Sequence, residues 1–216
     1  MIHIQKHSQP KKFVEFLQQN KNAHFDDMPS DVKQILRDSL LKEQGYLCAY
    51  CMSKIDDQHT KIEHYEPRNK ENELNYKNLL AVCEGNFSGN DEKHQHCDTK
   101  KGNKTLEIDP KNKYHISQIS YKPNGTIYSR NEKFNYDPNV TLNLNDDEGC
   151  LKENRKRELN ALKMKIKLRC KDKTVPLDFL KKALNFYTNF DGNGHKQKYC
   201  GILIDYLENK INKWHK

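Results

Sequence analysis

Cys48-Ala49-Tyr50-Cys51, Glu63-His64, Asn78, Cys83 and His96-Cys97-Asp98-Thr99-Lys100-Lys101-Gly102 follow one another in a single run of this chain. Two cysteine pairs bracket an acid-histidine dipeptide and an asparagine, and an acid follows the last cysteine at once. Thiolates at Cys48, Cys51, Cys83 and Cys97 would satisfy the tetrahedral demand of a structural Zn²⁺ and leave no open position on it. The second pair is split by the Gly-, Asn- and His-rich insert Glu84 to His96, looser than a compact zinc ribbon, so His94 and His96 remain alternatives to a thiolate. Glu63, His64 and Asp98 are then left for a harder cation and for chemistry. That division points to metal-dependent phosphodiester cleavage.

Within the run, Lys61-Ile62-Glu63-His64-Tyr65 before Pro67 reads as a strand entering a turn. Adjacent strand residues point to opposite faces, so a bulge or loop is needed to bring Glu63 and His64 to one site. Taken singly, Glu63-His64 is a surface pair, Asn78 a turn residue, and Asp98 a helix N-cap beside solvated Lys100 and Lys101. Their order carries the information.

Upstream, Lys11 to Leu17 reads as a short helix with Pro10 in its first turn. A second helix is expected from Ser30 as N-cap, with Val32, Ile35, Leu36 and Leu40 at helical spacing and Gly45 as its stop. Downstream, Tyr114 to Ser120 and Thr126 to Arg130 flank Lys122-Pro123-Asn124-Gly125, a hairpin signal. Three helical stripes close the chain: Leu159, Leu162, Ile166, Cys170; Leu177, Leu180, Leu184, Tyr187; and Tyr199, Ile202, Tyr206. The expected organisation is a helical segment over 1–45, a zinc-stapled core over 46–104, a hairpin and connector over 105–149, and a helical region over 150–216.

The 216 residues carry 34% hydrophobic and 31% charged side chains, which predicts a modest core or surface covered by a partner. No apolar run approaches a membrane span, and Met1 to Lys6 lacks the apolar stretch of a signal peptide, so the expectation is a cytoplasmic protein. An odd count of seven cysteines with C-x-x-C spacing favours metal binding over disulfides. Cys150, Cys170 and Cys200 are expected to be small buried residues. The net charge of +8 favours a polyanionic partner. Residues 46–104 hold 9 basic against 10 acidic residues, whereas 152–173 hold 10 against 3, so the basic footprint lies outside the motif. A solvated helix face and a nucleic-acid contact both account for it.

The order Glu63-His64, Asn78, Cys97-Asp98 resembles the HNH endonuclease family with a zinc-bound ββα-metal finger. The resemblance implies an α+β fold, an HNH ββα-metal core with structural zinc embedded in α-helices. It implies His64 as the general base, Glu63 as a ligand of a catalytic divalent metal, and Asn78 as the residue that holds loop and base. The family's last position is usually His or Asn and here is Asp98, which favours Mg²⁺ or Mn²⁺; Asp98, His96 and His94 all stand as the second ligand. Gln44 to Cys51, His96 to Gly102, Leu106 to Pro110 and Thr141 to Asn145 resemble the subfamily that contains PtuB. That subfamily pairs with the ABC-type ATPase PtuA in Septu and some retron antiphage systems. The implied partners are therefore nucleic acid (DNA or RNA), a PtuA-like ABC-type ATPase and a retron reverse transcriptase complex. The rival reading is a non-catalytic, zinc-dependent module that binds nucleic acid or the ATPase.

Overall fold

The computed structural model describes residues 1–85, 91–170 and 174–214. Residues 86–90 of the insert between Cys83 and Cys97, and the last three positions of the 152–173 basic run, lie outside the described residues. Helices α1 (Lys11–Gln19) and α2 (Ser30–Gln44) come first, then the antiparallel strands β1 (Lys61–His64) and β2 (Leu79–Val82) and the short helix α3 (Cys97–Lys101). Next come α4 (Lys113–Ser117), the antiparallel pair β3 (Ile119–Tyr121) and β4 (Ile127–Ser129), α5 (Glu132–Tyr136), α6 (Cys150–Cys170), α7 (Leu177–Thr188) and α8 (Cys200–Trp214). The architecture is α+β, with two small sheets set among helices.

α2 is the pillar of the core. Val32, Leu36 and Leu40 recur on one face and are buried, with Leu36 and Leu40 fully so, each contributing about 1.5–3 kcal/mol of burial. The Pro29 carbonyl accepts the amide of Lys33, so Pro29 is the N-cap, one position earlier than the expected Ser30, and Ser30 is the first helical residue. Pro10 likewise caps α1 from outside, its carbonyl accepting from Val14, rather than standing in the first turn. Gly45 ends α2 in the left-handed region at φ 65°, where a Cβ would meet the Lys196 backbone at 2.9 Å.

β2 (Leu-Leu-Ala-Val) is buried at every position, so it reads as an unbroken apolar run where β1, half-exposed, does not. Gln44, at the end of α2 and itself buried, ties this strand to the first cysteine turn. Its Nε2 donates to Leu47 O (2.9 Å) and Ala81 O (2.7 Å), and its Oε1 accepts from Ala81 N (2.8 Å). The Asn-Gly hairpin forms over shorter strands than expected, because Asn112 accepts from the amides of Tyr114 and His115 and draws 113–117 into α4.

The three C-terminal stripes lie on α6, α7 and α8, with Leu159, Leu162, Ile166, Leu180, Ile202, Leu203 and Leu207 buried. α8 packs on α6, α7 and β3. Among the remaining cysteines Cys200 is buried and Cys170 partly so, but Cys150 is exposed, because it opens α6 ahead of the first inward position, Leu151. No helix among the described residues is long and apolar enough to cross a membrane.

Candidate active site

The four cysteines converge. Cys48 and Cys51 lie in a tight turn closed by Cys48 N to Ser53 O (3.0 Å) and Met52 N to Cys48 O (3.0 Å), with Met52 at φ 63°. Cys83 follows β2 directly, and Cys97 opens α3 at φ 56° with its amide held by Leu142 O (3.0 Å). The Cys48–Cys97 and Cys51–Cys83 sulfur pairs stand at 3.8 and 3.7 Å, and all four sulfurs lie within 4.8 Å of one another. Sulfurs at the corners of a tetrahedron with Zn–S bonds of about 2.3 Å are about 3.8 Å apart, and a disulfide would need about 2.05 Å. The donor set therefore fits a structural metal such as zinc. His96 Nδ1 approaches Cys97 Sγ (3.2 Å) and Cys83 Sγ (3.9 Å), a hydrogen-bonding neighbour of the thiolates and not a replacement for one. His94 is not among the clustered donors and pairs instead with Asp146 (2.5 Å) and Glu148 (3.3 Å).

A cleft of about 280 Å³ opens beside this cluster, lined by Glu63, His64, Pro67, Arg68, Asp98, Lys101, Gly102 and Asn103. The structure thus brings Glu63, His64 and Asp98 to one place. His64 is the last residue of β1, where the chain leaves strand geometry, and this lets both neighbours reach the cleft. Of the three histidine or acidic alternatives for a partner to Glu63, only Asp98 lines the cleft.

His64 Nε2 lies 2.9 Å from Glu73 O. A carbonyl can only accept, so Nε2 carries the proton and the Nδ1 lone pair is left available. Burial lowers the His64 pKa, aided by the charges of Arg68 and Lys101 and opposed by the Glu73 carbonyl, and the ring stays neutral at neutral pH. The edge of Phe25 packs on the imidazole at 4.8 Å. Glu73 in turn accepts from Phe25 N (3.0 Å) and binds His24 Nδ1 (2.7 Å), while Arg68 forks onto Asp26 at 2.7 and 3.1 Å. A short N-terminal turn, Phe25–Asp27, is thereby clamped to the loop behind His64.

Glu63 is 5% exposed. Its carboxylate accepts from Tyr50 OH (3.2 Å), the tyrosine between the first two cysteines, and pairs with Lys101 Nζ (2.7 Å). Burial first, and then the neighbouring Asp98 carboxylate, push Glu63 up to about 8; the Lys101 ammonium pulls the other way. Lys101 is not the solvated residue its sequence context suggests. Its side chain is 1% exposed, and beyond Glu63 it reaches His64 O (3.1 Å) and Gly102 O (3.4 Å), which uses all three ammonium protons. Asp98, 24% exposed at its side chain, has Lys61 Nζ at 3.8 Å.

Asn78 does not line the cleft. Its Oδ1 accepts from Glu66 N (2.7 Å) and its Nδ2 donates to Glu66 O (3.2 Å) and Asn72 O (3.4 Å), while its own carbonyl accepts from Tyr65 N (2.8 Å). It braces the chain immediately after His64. Sequence reasoning misses Tyr50, Glu73 and Phe25, and reads Lys101 as a solvated lysine or a phosphate contact where the structure buries it against Glu63. Only Tyr50 carried a signal, its place between the metal-ligand cysteines.

No family model matches the chain. Two curated proteins do. Over 105 residues the chain is 30% identical to the "Retron Ec83 putative HNH endonuclease" of Escherichia coli, a match covering 43% of this chain and 41% of that protein. Over 107 residues it is 32% identical to the "Retron Vc95 putative HNH endonuclease" of Vibrio cholerae serotype O1 biovar El Tor, covering 47% and 50%. The similarity supports an HNH endonuclease. The chain spans half or less of the length of these two relatives.

Proposed function

We propose that this chain is a metal-dependent HNH endonuclease that hydrolyses nucleic-acid phosphodiester bonds, with residues 46–104 as its core. One observation carries the reading: His64, with its Nδ1 lone pair free, shares a single cleft with the carboxylates of Glu63 and Asp98. His64 Nδ1 takes a proton from water as that water attacks phosphorus, a role suited to a neutral imidazole. Glu73 O fixes the tautomer through Nε2–H, and Asn78 holds the loop that sets the ring's position. Glu63 and Asp98 would hold the divalent cation. Two carboxylates suit Mg²⁺ or Mn²⁺, which commonly take one or two from the protein and complete their shell with water and phosphate oxygens. When bound, that cation supplies charge stabilisation at the phosphoryl group and leaving oxygen.

The names of the two relatives support a place in a retron-related system. An antiphage role, an ABC-type ATPase and a reverse transcriptase complex as partners, and the cytoplasm as the location are proposed on the family resemblance alone. The outward basic residues of α6, Arg157, Lys165, Lys167 and Arg169, are the proposed contact for nucleic-acid backbone. The rival reading, a non-catalytic module, draws on Lys101, whose ammonium satisfies Glu63 as a structural ion pair would. Plasmid DNA and small RNA incubated with zinc-loaded protein, alone and with the neighbouring gene product, with Mg²⁺ or Mn²⁺, separate the two. Cleavage by the parent and none by His64→Ala supports the nuclease. Equal cleavage by both, or none by either with partner present, favours the binding module.

A further inference from the structure

Arg155, on α6, is fully buried, yet nothing it bonds to carries a negative charge. Its Nε donates to Gly125 O (2.6 Å), and one terminal nitrogen donates to Leu144 O (2.6 Å) and Asn145 Oδ1 (3.2 Å). The other terminal nitrogen, Nη1, is buried without a hydrogen-bond partner. Among the described residues no carboxylate forms an ion pair with this guanidinium. A guanidinium cannot shed its charge, and a buried unpaired ion costs several kcal/mol. A compensating charge is therefore to be sought among its neighbours.

Two short connections lead from Arg155 to the thiolates. On one side, the segment 142–145 takes its hydrogen bonds at Leu144 and Asn145 and holds the Cys97 amide at Leu142 O (3.0 Å). On the other, Asn154 donates to Tyr199 OH (3.2 Å), and the Tyr199 amide donates to Met52 O (2.9 Å), next to Cys51. Among the groups whose charges would bear most on Arg155 are Tyr121, Cys51, Tyr199 and Cys97. Burial pushes both tyrosines upward, so they are neutral, and the buried Met1 amine that also faces Arg155 is held down to about 5. Of these groups, the thiolates are the ones that can supply a compensating negative charge. Four thiolates around one divalent cation carry a net charge of about −2, in a region where every sulfur is buried.

We propose that Arg155 is the buried counter-charge of the metal-tetrathiolate centre. The metal makes an unpaired guanidinium tolerable in the core, and Arg155 in turn offsets the excess negative charge of the loaded cluster. α6 is thereby coupled to the metal without supplying a ligand. The inference concerns the structural metal and stands whether or not the chain cleaves nucleic acid.

The test is zinc release from purified protein to an excess of a colorimetric chelator, measured for the parent, Arg155→Lys, Arg155→Met and Arg155→Gln. The two neutral variants should release zinc about tenfold to a hundredfold more readily, the range seen when an outer-shell partner of a metal site is removed. Arg155→Lys, which keeps the charge and loses the fork, should stay within about threefold of the parent. Parent-like retention by the neutral variants overturns the proposal, as does an Arg155→Lys that loses zinc as readily as they do. Should the neutral variants fail to fold, Asn145→Asp decides. It sets a carboxylate on the guanidinium, and faster release supports the counter-charge where unchanged release refutes it.

Discussion

Glu63→Gln should stabilise this protein while weakening its response to divalent cations. In the native state the Glu63 carboxyl is held at about 8, against an ordinary 4.5, by burial and by Asp98. The unfolded chain ionises it freely, so stability is fully present below about 4.5 and is lost as pH climbs through about 8. At 1.36 kcal/mol per pH unit the native state forgoes about 2 kcal/mol at pH 6, about 3 at pH 7 and about 5 at pH 9. Gln keeps the shape of the neutral acid and cannot ionise. Its advantage over the parent should therefore grow by about 3 kcal/mol between pH 6 and pH 9, an order-of-magnitude figure. Urea denaturation of zinc-loaded parent and variant at both pH values, without Mg²⁺, reads it directly. Added Mn²⁺ should then stabilise the parent at pH 9 more than the variant, which keeps Asp98 as its one charged ligand in the cleft. An advantage that does not change with pH refutes the burial argument. A variant less stable than the parent at pH 9 would show that the Lys101 ion pair outweighs burial.

Three further outcomes are expected. His64→Ala should lower cleavage by about 10²–10⁴-fold while zinc content and thermal melting stay parental, since a positioned general base is worth that much and the ring is not a core anchor; a plasmid-nicking time course with parallel metal analysis checks both. Cys48→Ser should give insoluble or unfolded protein, and the parent about one zinc per chain by elemental analysis, because a structural tetrathiolate contributes folding energy outright; well-folded parent without zinc would count against the site. Asn78→Ala removes the three side-chain hydrogen bonds behind the base, to Glu66 N, Glu66 O and Asn72 O. It should cost about 1–3 kcal/mol in chemical denaturation and lower kcat more than it raises KM.

The parts of the site that were legible in sequence are those whose chemistry depends on residue type and local spacing. The cysteine spacing and the Glu63-His64 step before Pro67 are of that kind, and the structure does bring the four sulfurs together and both side chains to one cleft. The same holds for the α2 face, whose 3.6-residue period places Leu36 and Leu40 inward. What sequence could not supply is long-range. Phe25 reaches His64 because the chain after α1 folds back across the loop between β1 and β2, where it also bonds Glu73 48 positions away, a contact that leaves no periodic trace. Lys101 looks like any lysine at the end of a short helix, and only the depth of Glu63 shows that it is buried. Arg155 was one of ten basic residues in a run that reads as an outward face. It sits on the stripe with Leu151, Leu159, Leu162 and Ile166, which faces the core. Of the last stripe, Tyr199 and Ile202 are buried and Tyr206 is half-buried, with Leu203 and Leu207 buried beside them, and the Tyr199 amide holds Met52 O, so the entry to α8 braces the first cysteine turn.

Five residues explain why the structural metal and the chemistry belong to one unit. α3 begins at Cys97, a member of the thiolate cluster, presents Asp98 to the cleft one residue later, and ends at Lys101, whose ammonium fixes Glu63 and the His64 carbonyl. From the other side the same cluster reaches the same carboxylate, since Tyr50 lies between Cys48 and Cys51 and donates to Glu63. A helix of five residues has no independent stability, because nucleation alone outweighs the few hydrogen bonds it makes. Its position must come from its ends: the Cys97 sulfur in the metal site and the Cys97 amide on Leu142 at one, and the buried Lys101 at the other. Releasing the metal frees the first end, and Asp98, directly beside it, is the cleft residue whose position depends on that anchor most. The thiolate cluster contributes no side chain to the cleft, and through Cys97 and Tyr50 it still sets whether Glu63, His64 and Asp98 share it.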